Sequence, residues 1–232
     1  MINFSGMKNK EIFYQEGTMS KKKIGLLTVI LVLTMALVTA CGGTKKEISL
    51  GTTTNGSYTN DYFGVSLSFP NEWTFQDEAA LKQLMEESRE IIAGDDESKK
   101  KQLDLASIKT LNLLMASQYP LDSGQLGPSV VIVAEKVSLL QGVKTGKDYL
   151  EASKKFMIDS QLPYNYKDIT TTKVGGKDMD MMQITIENGD MVITQDYYCS
   201  IIDGYAYNMI FTYADDEMKA ETDKIVQSVS FK

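Results

Sequence analysis

Apolar and polar positions alternate most regularly in the second half of the chain. Residues 169–174, 178–187, 190–202 and 205–213 are runs rich in β-branched and aromatic side chains, the composition of strands. The joints between them are Gly175-Gly176, Asn188-Gly189 and Asp203-Gly204. Each dipeptide tolerates the positive φ of the tight turns whose twist matches that of paired strands. Three such joints in succession specify an antiparallel meander. Two-residue loops at the last two joints would set Gln183 opposite Thr194, Met181 opposite Asp196, Tyr198 opposite Met209 and Asp196 opposite Phe211. One face then collects Met179, Met181, Val192, Tyr198, Tyr205, Tyr207, Met209, Phe211 and Tyr213. The other collects Met182, Ile184, Ile186, Met191, Ile193, Tyr197, Cys199, Ile201 and Ile210. Both faces are apolar, so both need cover, because a sheet with one wet face alternates more cleanly.

Helical spacing supplies that cover. Residues 78–93 put Leu81, Leu84, Met85, Ile91 and Ile92 on one stripe, with Asp77 to cap the start and Gly94 past the end. Thr145-Gly146-Lys147-Asp148 resembles a capping box and opens a helix to Ser160, with Tyr149, Phe156 and Met157 inward. Asp215-Asp216-Glu217 places negative charge at the start of a third helix, through about Gln227. Residues 229–231 read as a closing strand, 111–119 and 129–137 as a further pair, and 97–108 as helix. Residues 62–69 read as a strand, followed by a turn at Pro70-Asn71-Glu72-Trp73 and a second short strand. The expected class is α+β: an antiparallel meander covered by helices on both faces.

Composition narrows the chemistry more than the fold. The chain has 232 residues and a formal net charge of −7, and its first 40 residues carry five Lys and two Glu. The 192 residues from Cys41 onward therefore stand at −10, enough chain for one domain with a sizeable core. An acidic body repels phosphate backbones, so no nucleic-acid partner is expected. The chain contains no histidine, which removes the usual general base, every Ser-His or Cys-His pair and the commonest transition-metal ligand. No enzyme activity, catalytic residue, metal site or cofactor is expected.

The N-terminal segment carries an address. Lys21-Lys22-Lys23 precedes an apolar run from Ile24 to Ala40, at the short limit for a membrane-spanning helix. The run ends in Val38-Thr39-Ala40-Cys41. Small residues before a cut site suit a signal peptidase, and a cysteine directly after them resembles the lipobox of bacterial lipoproteins. That resemblance implies diacylglycerol (or palmitate) on Cys41, cleavage before it, and a domain held on the extracytoplasmic face of the cell membrane. Thr52-Thr53-Thr54-Asn55-Gly56-Ser57 then reads as the end of a flexible tether. The organisation expected is an upstream extension over 1–18, a signal peptide over 19–40, a lipid-anchored tether over 41–57 and a globular domain over 58–232. The extension is suspected because the codons of Gln15-Glu16-Gly17 can contain a ribosome-binding sequence just ahead of Met19.

Two stretches carry a second resemblance. Tyr58-Thr59-Asn60-Asp61-Tyr62-Phe63-Gly64-Val65-Ser66-Leu67-Ser68-Phe69-Pro70-Asn71-Glu72-Trp73 is similar to the opening of PsbP-like domains, and the Tyr-rich strand, short helix and Ser228-Val229-Ser230-Phe231 are similar to their ending. The resemblance spans residues 58–232. It implies an α/β/α sandwich, a fold shared with a Ran-release factor, whose members act by binding partners; it brings no catalytic motif.

The remaining constellations have plain readings. Met179, Met181, Met182, Met191 and Met209 could in principle hold Cu(I), but the register divides them between two faces, and adaptable core filling is the expectation. Asp178 and Asp180, Asp95-Asp96-Glu97 and Asp215-Asp216-Glu217 match no calcium loop and read as solvated surface or helix starts. Cys199 reads as a buried, inert thiol. Tyr198, Tyr205, Tyr207 and Tyr213 could line a ligand groove, with cross-strand aromatic packing as the preferred alternative. Trp73 reads as a plug at the sheet end. The leading expectation is a surface-anchored protein-binding or assembly module; the alternative is a lipoprotein that binds a small ligand or metal in transport or sensing.

Overall fold

The computed structural model describes residues 48–54, 56–189 and 191–232. The upstream extension, the signal peptide, the lipobox and Cys41 lie outside the described residues. The described chain runs β1 (Thr52–Thr54), β2 (Ser57–Asn60), β3 (Val65–Ser68), β4 (Thr74–Phe75), α1 (Glu78–Ala93), α2 (Glu97–Ser107), β5 (Thr110–Ser117), β6 (Ser129–Lys136), α3 (Gly146–Asp159), β7 (Tyr164–Tyr166), β8 (Thr170–Val174), β9 (Lys177–Asn188), β10 (Met191–Ile202), β11 (Tyr205–Tyr213), α4 (Asp216–Ser228) and β12 (Ser230–Phe231).

The central sheet is antiparallel, in the order β4-β5-β6-β11-β10-β9-β7, with β8 also pairing on β9. The meander β8–β11 is the one the turn residues specify. Gly175 and Gly176 have φ of 58° and 82°, and Asp203 and Gly204 have 50° and 77°, the double positive φ of type I′ turns. Gly175 has a further constraint: a Cβ there would lie 2.8 Å from the Val229 carbonyl oxygen. The β10–β11 register pairs Tyr198 with Met209 and Asp196 with Phe211, as expected. The β9–β10 register differs. Asn188 pairs with Met191, so Gln183 faces Asp196 and Met181 faces Tyr198, two residues from the expected pairing. Because side chains alternate with a period of two, this shift leaves every side chain on its expected face.

The helices begin where their caps place them. Asp77 accepts from the Ala80 amide at 2.8 Å, Thr145 and Asp148 close the reciprocal box on α3, and Asp215 accepts from the Met218 amide at 2.8 Å. Asp96 caps α2 in the same way. In α1, Leu81, Leu84 and Ile92 are buried, but Ile91 faces outward. The buried stripe of α1 runs on through Ile92 and Ala93 instead, which leaves Ile91 at its solvent margin.

One face of the sheet packs against α1, α2 and α3 through Leu84, Leu103, Met115, Val133, Leu150, Met157, Met182, Ile184, Tyr197 and Ile210. The other is covered by α4 and by a second antiparallel sheet, β1-β2-β3-β12, which the sequence reading did not foresee. Helices thus cover both faces, giving the α+β class, with strands completing the second layer. Thr52–Thr54, read above as tether, forms β1: Thr52 pairs with Thr59 and Thr54 with Ser57. Three threonines in a row are good strand formers, and β2 offers them an open edge. The C-terminal β12 joins the same sheet, with Phe231 opposite Val65.

Candidate functional site

Of the four tyrosines, Tyr205, Tyr207 and Tyr213 are buried and Tyr198 is half-buried. Tyr207 is fully buried, with its ring 5.1 Å from that of Phe63 and 6.2 Å from that of Phe231. Tyr205 lies edge-on to Phe63 at 5.7 Å and to Tyr62 at 6.1 Å. Tyr198 meets Phe211 edge-on at 5.7 Å. The turn between β2 and β3 and the closing strand β12 bring Tyr62, Phe63 and Phe231 onto Tyr205 and Tyr207. Tyr205 and Tyr207 are packed between the two sheets, whereas Tyr198 is half-buried against Phe211 of its own sheet. Burial raises the phenol pKa of Tyr198 to about 12 and that of Tyr207 well above the ordinary value.

Tyr213 belongs to a polar network. Its hydroxyl donates to Asp196 Oδ2 at 3.1 Å, while Gln183 Nε2 donates to Asp196 Oδ1 at 2.7 Å. Asp196 is buried, and desolvation raises its carboxyl pKa against the pull of those two donors. At the rim, Lys219 on α4 pairs with Asp223 at 2.7 Å and stands 5.7 Å from the Tyr213 ring. A buried acid beside a tyrosine and a lysine has the parts of a proton relay. Both of its oxygens are nevertheless taken by side chains of the chain itself, which is the arrangement of a structural network. Sequence reasoning placed Asp196 in the register but gave it no role. The available signal was an acid amid the apolar positions of β10.

The opposite face holds a second buried acid. Glu135 on β6 has no exposure and accepts from the Tyr149 hydroxyl at 2.7 Å. Cys199 lies in the same layer, fully buried. Burial raises its thiol pKa far above the ordinary value, and the negative charges of Asp180 and Glu135 add to that. The thiol stays protonated and out of solvent, as expected of an inert cysteine.

The acid clusters read from the sequence serve helix starts and surface pairs. Asp180 Oδ2 accepts from the Lys147 amide at 2.7 Å, in the first turn of α3, and Oδ1 from the Thr171 hydroxyl at 2.8 Å. Asp178 pairs with Lys173 at 2.7 Å. Among the described residues no group of three or more Cys, Asp or Glu is arranged to hold a metal. Met179 and Met209 are buried on one face and Met182 on the other, so the thioethers do not converge. Trp73 is buried beside Phe69, ring centroids 5.7 Å apart, beyond the far end of β3. None of the described helices is long and apolar enough to cross a membrane.

No protein-family model and no curated protein matches the chain. Solved structures do. The solution structure of cyanobacterial PsbP from Synechocystis is similar with a TM-score of 0.46 and 13% identity, covering 84% of this chain and 99% of that one. The crystal structure of LpqN, involved in cell envelope biogenesis of Mycobacterium tuberculosis, is similar with a TM-score of 0.42 and 11% identity, covering 72% and 83%. A crystal structure from Bacteroides thetaiotaomicron is similar with a TM-score of 0.36 and 9% identity; the match covers 73% of this chain but only 45% of that longer one.

Proposed function

We propose that the chain is an exported lipoprotein, anchored to the cell membrane through lipid on Cys41, whose folded domain is a non-catalytic protein-binding or assembly module. The observation that carries the anchor is the burial of Cys199. Cys199 is sealed in the core, which leaves Cys41, directly after an apolar run and Val38-Thr39-Ala40, as the chain's other cysteine and the candidate for lipid. The acidic charge of the body argues in the same direction, since a protein repelled by anionic headgroups depends on a lipid to stay at a membrane. The binding role draws support from the buried acids. Asp196 and Glu135 are engaged in hydrogen bonds within the fold, and so is the half-exposed Asp180.

Palmitate labelling of the full chain in a bacterium that processes lipoproteins tests the anchor. Label in the wild type and none in Cys41→Ser is expected; equal label in both would overturn it. In-cell crosslinking from the anchored protein tests the module. One reproducible protein adduct is expected, whereas stabilisation by a small ligand or metal ion in a thermal-shift screen, with no adduct, would move the reading to a ligand-binding lipoprotein.

A further inference from the structure

The described chain starts at Ile48, seven residues after Cys41. Its first residues are held at one end of the fold. Asn60 Nδ2 donates to the Ser49 carbonyl at 2.9 Å, and the Tyr58 hydroxyl donates to the Leu50 carbonyl at 2.8 Å. Asn60 ends β2 and enters the turn that carries Tyr62 and Phe63 onto Tyr205. Tyr205 pairs with Lys136, the last residue of β6, and Lys136 Nζ stands 4.3 Å from the Tyr205 ring. The Lys136 amide donates to the Lys109 carbonyl at 3.0 Å, and the Val137 amide to the Gly204 carbonyl at 3.0 Å. Ile48, Tyr62, Tyr205, Lys136 and Lys109 therefore lie along one end of the two sheets.

That end also carries the most exposed large aliphatic side chains of the described residues. Ile108, one residue before Lys109, is 81% exposed; Leu139 and Leu140, just past Val137, are 73% and 78% exposed. Three aliphatics held in water by tight segments, the end of α2 and a short 3-10 turn closed at Gly142, serve no packing role within the described fold. The charges beside them differ from those of the body. Lys109, Lys136 and Lys232 stand at this end with Asp61 and Asp203; Lys232 lies 3.7 Å from Asp61, and Lys136 reaches the Asp203 carbonyl at 3.3 Å. The large acidic excess lies elsewhere.

We propose that this end is the membrane-facing surface of the domain, with Leu139, Leu140 and Ile108 seated in the headgroup region of the lipid bilayer. The proposal rests on the lipid anchor at Cys41. Seven extended residues span at most about 25 Å, so an anchored domain presents the end bearing Ile48 to the bilayer. The tether makes insertion an intramolecular event, which lets a few aliphatic side chains suffice where they could not hold a free protein. Lysines at the rim can meet phosphate groups while the aliphatic tips enter.

Tryptophan fluorescence in vesicles tests it. The natural Trp73 is buried and near the opposite end, so it supplies a low background. The full-length lipoprotein, purified from membranes, is reconstituted into vesicles of phosphatidylglycerol and phosphatidylcholine carrying bromine high on the acyl chain. Leu140→Trp and, as a second site, Ile108→Trp are expected to blue-shift and to be quenched at least about twofold more than Ile158→Trp, on the exposed face of α3 at the other end. Equal quenching at all three sites, with palmitate present on Cys41, would overturn the docking and leave the anchor standing. Absence of palmitate would overturn both. A blue-shift that needs no vesicles and grows with protein concentration would overturn the docking in favour of a second copy of the chain.

Discussion

The helix layer and the small-sheet layer cover the same central sheet but are assembled from different parts of the chain. On one side, α1, α2 and α3 come from a single stretch between residues 78 and 159, each with its own cap. On the other, β1–β3 come from the start of the described chain and α4 and β12 from its end. Ser68 and Ser228, 160 positions apart, exchange hydrogen bonds, with the Ser68 amide donating to the Ser228 hydroxyl at 2.9 Å. A layer drawn from one stretch owes its form to local spacing. A layer drawn from two ends owes it to pairings that only the finished fold supplies.

The largest effects should come from each layer's buried anchors. Phe211→Ala, beneath the small sheet and 1% exposed, should cost about 3–5 kcal/mol, and Met157→Ala, beneath α3, about 2–5 kcal/mol. Urea unfolding of the two variants measures both, and a loss under about 1 kcal/mol at either site would contradict the packing described. A sharper division comes from Phe231→Ala. Amide exchange in β2 and β3 should quicken by about tenfold or more, while α3 exchanges as before. Acceleration spread equally over both layers would mean that the small sheet does not open separately.

The caps come next. Thr145→Ala should cost about 1 kcal/mol through α3, and Asp215→Ala a similar amount through α4, read as thermal midpoints. The smallest effect is that of pH on the network between β10 and α4. Burial raises the Asp196 carboxyl above its ordinary 3.8. The folded chain therefore holds that proton more tightly than the unfolded one, and stability contributed by the protonated acid is lost as pH rises from 3.8 through the raised value. Asp196→Asn should flatten the wild-type fall over that window. Parallel slopes in urea melts of the two proteins would assign the fall to other groups.

The elements that were legible in the sequence are those whose signals are local. The meander followed from three turn dipeptides, and the helices from Asp77, Thr145 and Asp215. The Asn188-Gly189 hairpin was misplaced by two residues because Asn188 itself pairs with Met191, a choice made by the strands rather than by the dipeptide. β1 was taken for tether because its threonines mean strand only when β2 lies beside them. β7 is three residues long, and its pairing with Ile184–Ile186 leaves no periodicity to read. At the level of the site, Asp196 gained its partners only when β9 and β11 brought Gln183 and Tyr213 to it. The exposed aliphatic end was equally hidden, since Ile108, Leu139 and Leu140 are ordinary apolar residues until the fold leaves them outside.

The pairing of Phe231 with Val65 has a temporal meaning. A chain synthesised from its N-terminus delivers β2 and β3 first and β12 last. The second layer cannot lock until β12 has been made, and until then the aromatic floor at Tyr205 and Tyr207 lacks part of its lid. The C-terminal strand therefore acts as a completion signal. The second layer is finished last, and removal of Ser230 and Phe231 should leave the Val65 edge and the Tyr207 ring uncovered and the domain open to proteolysis.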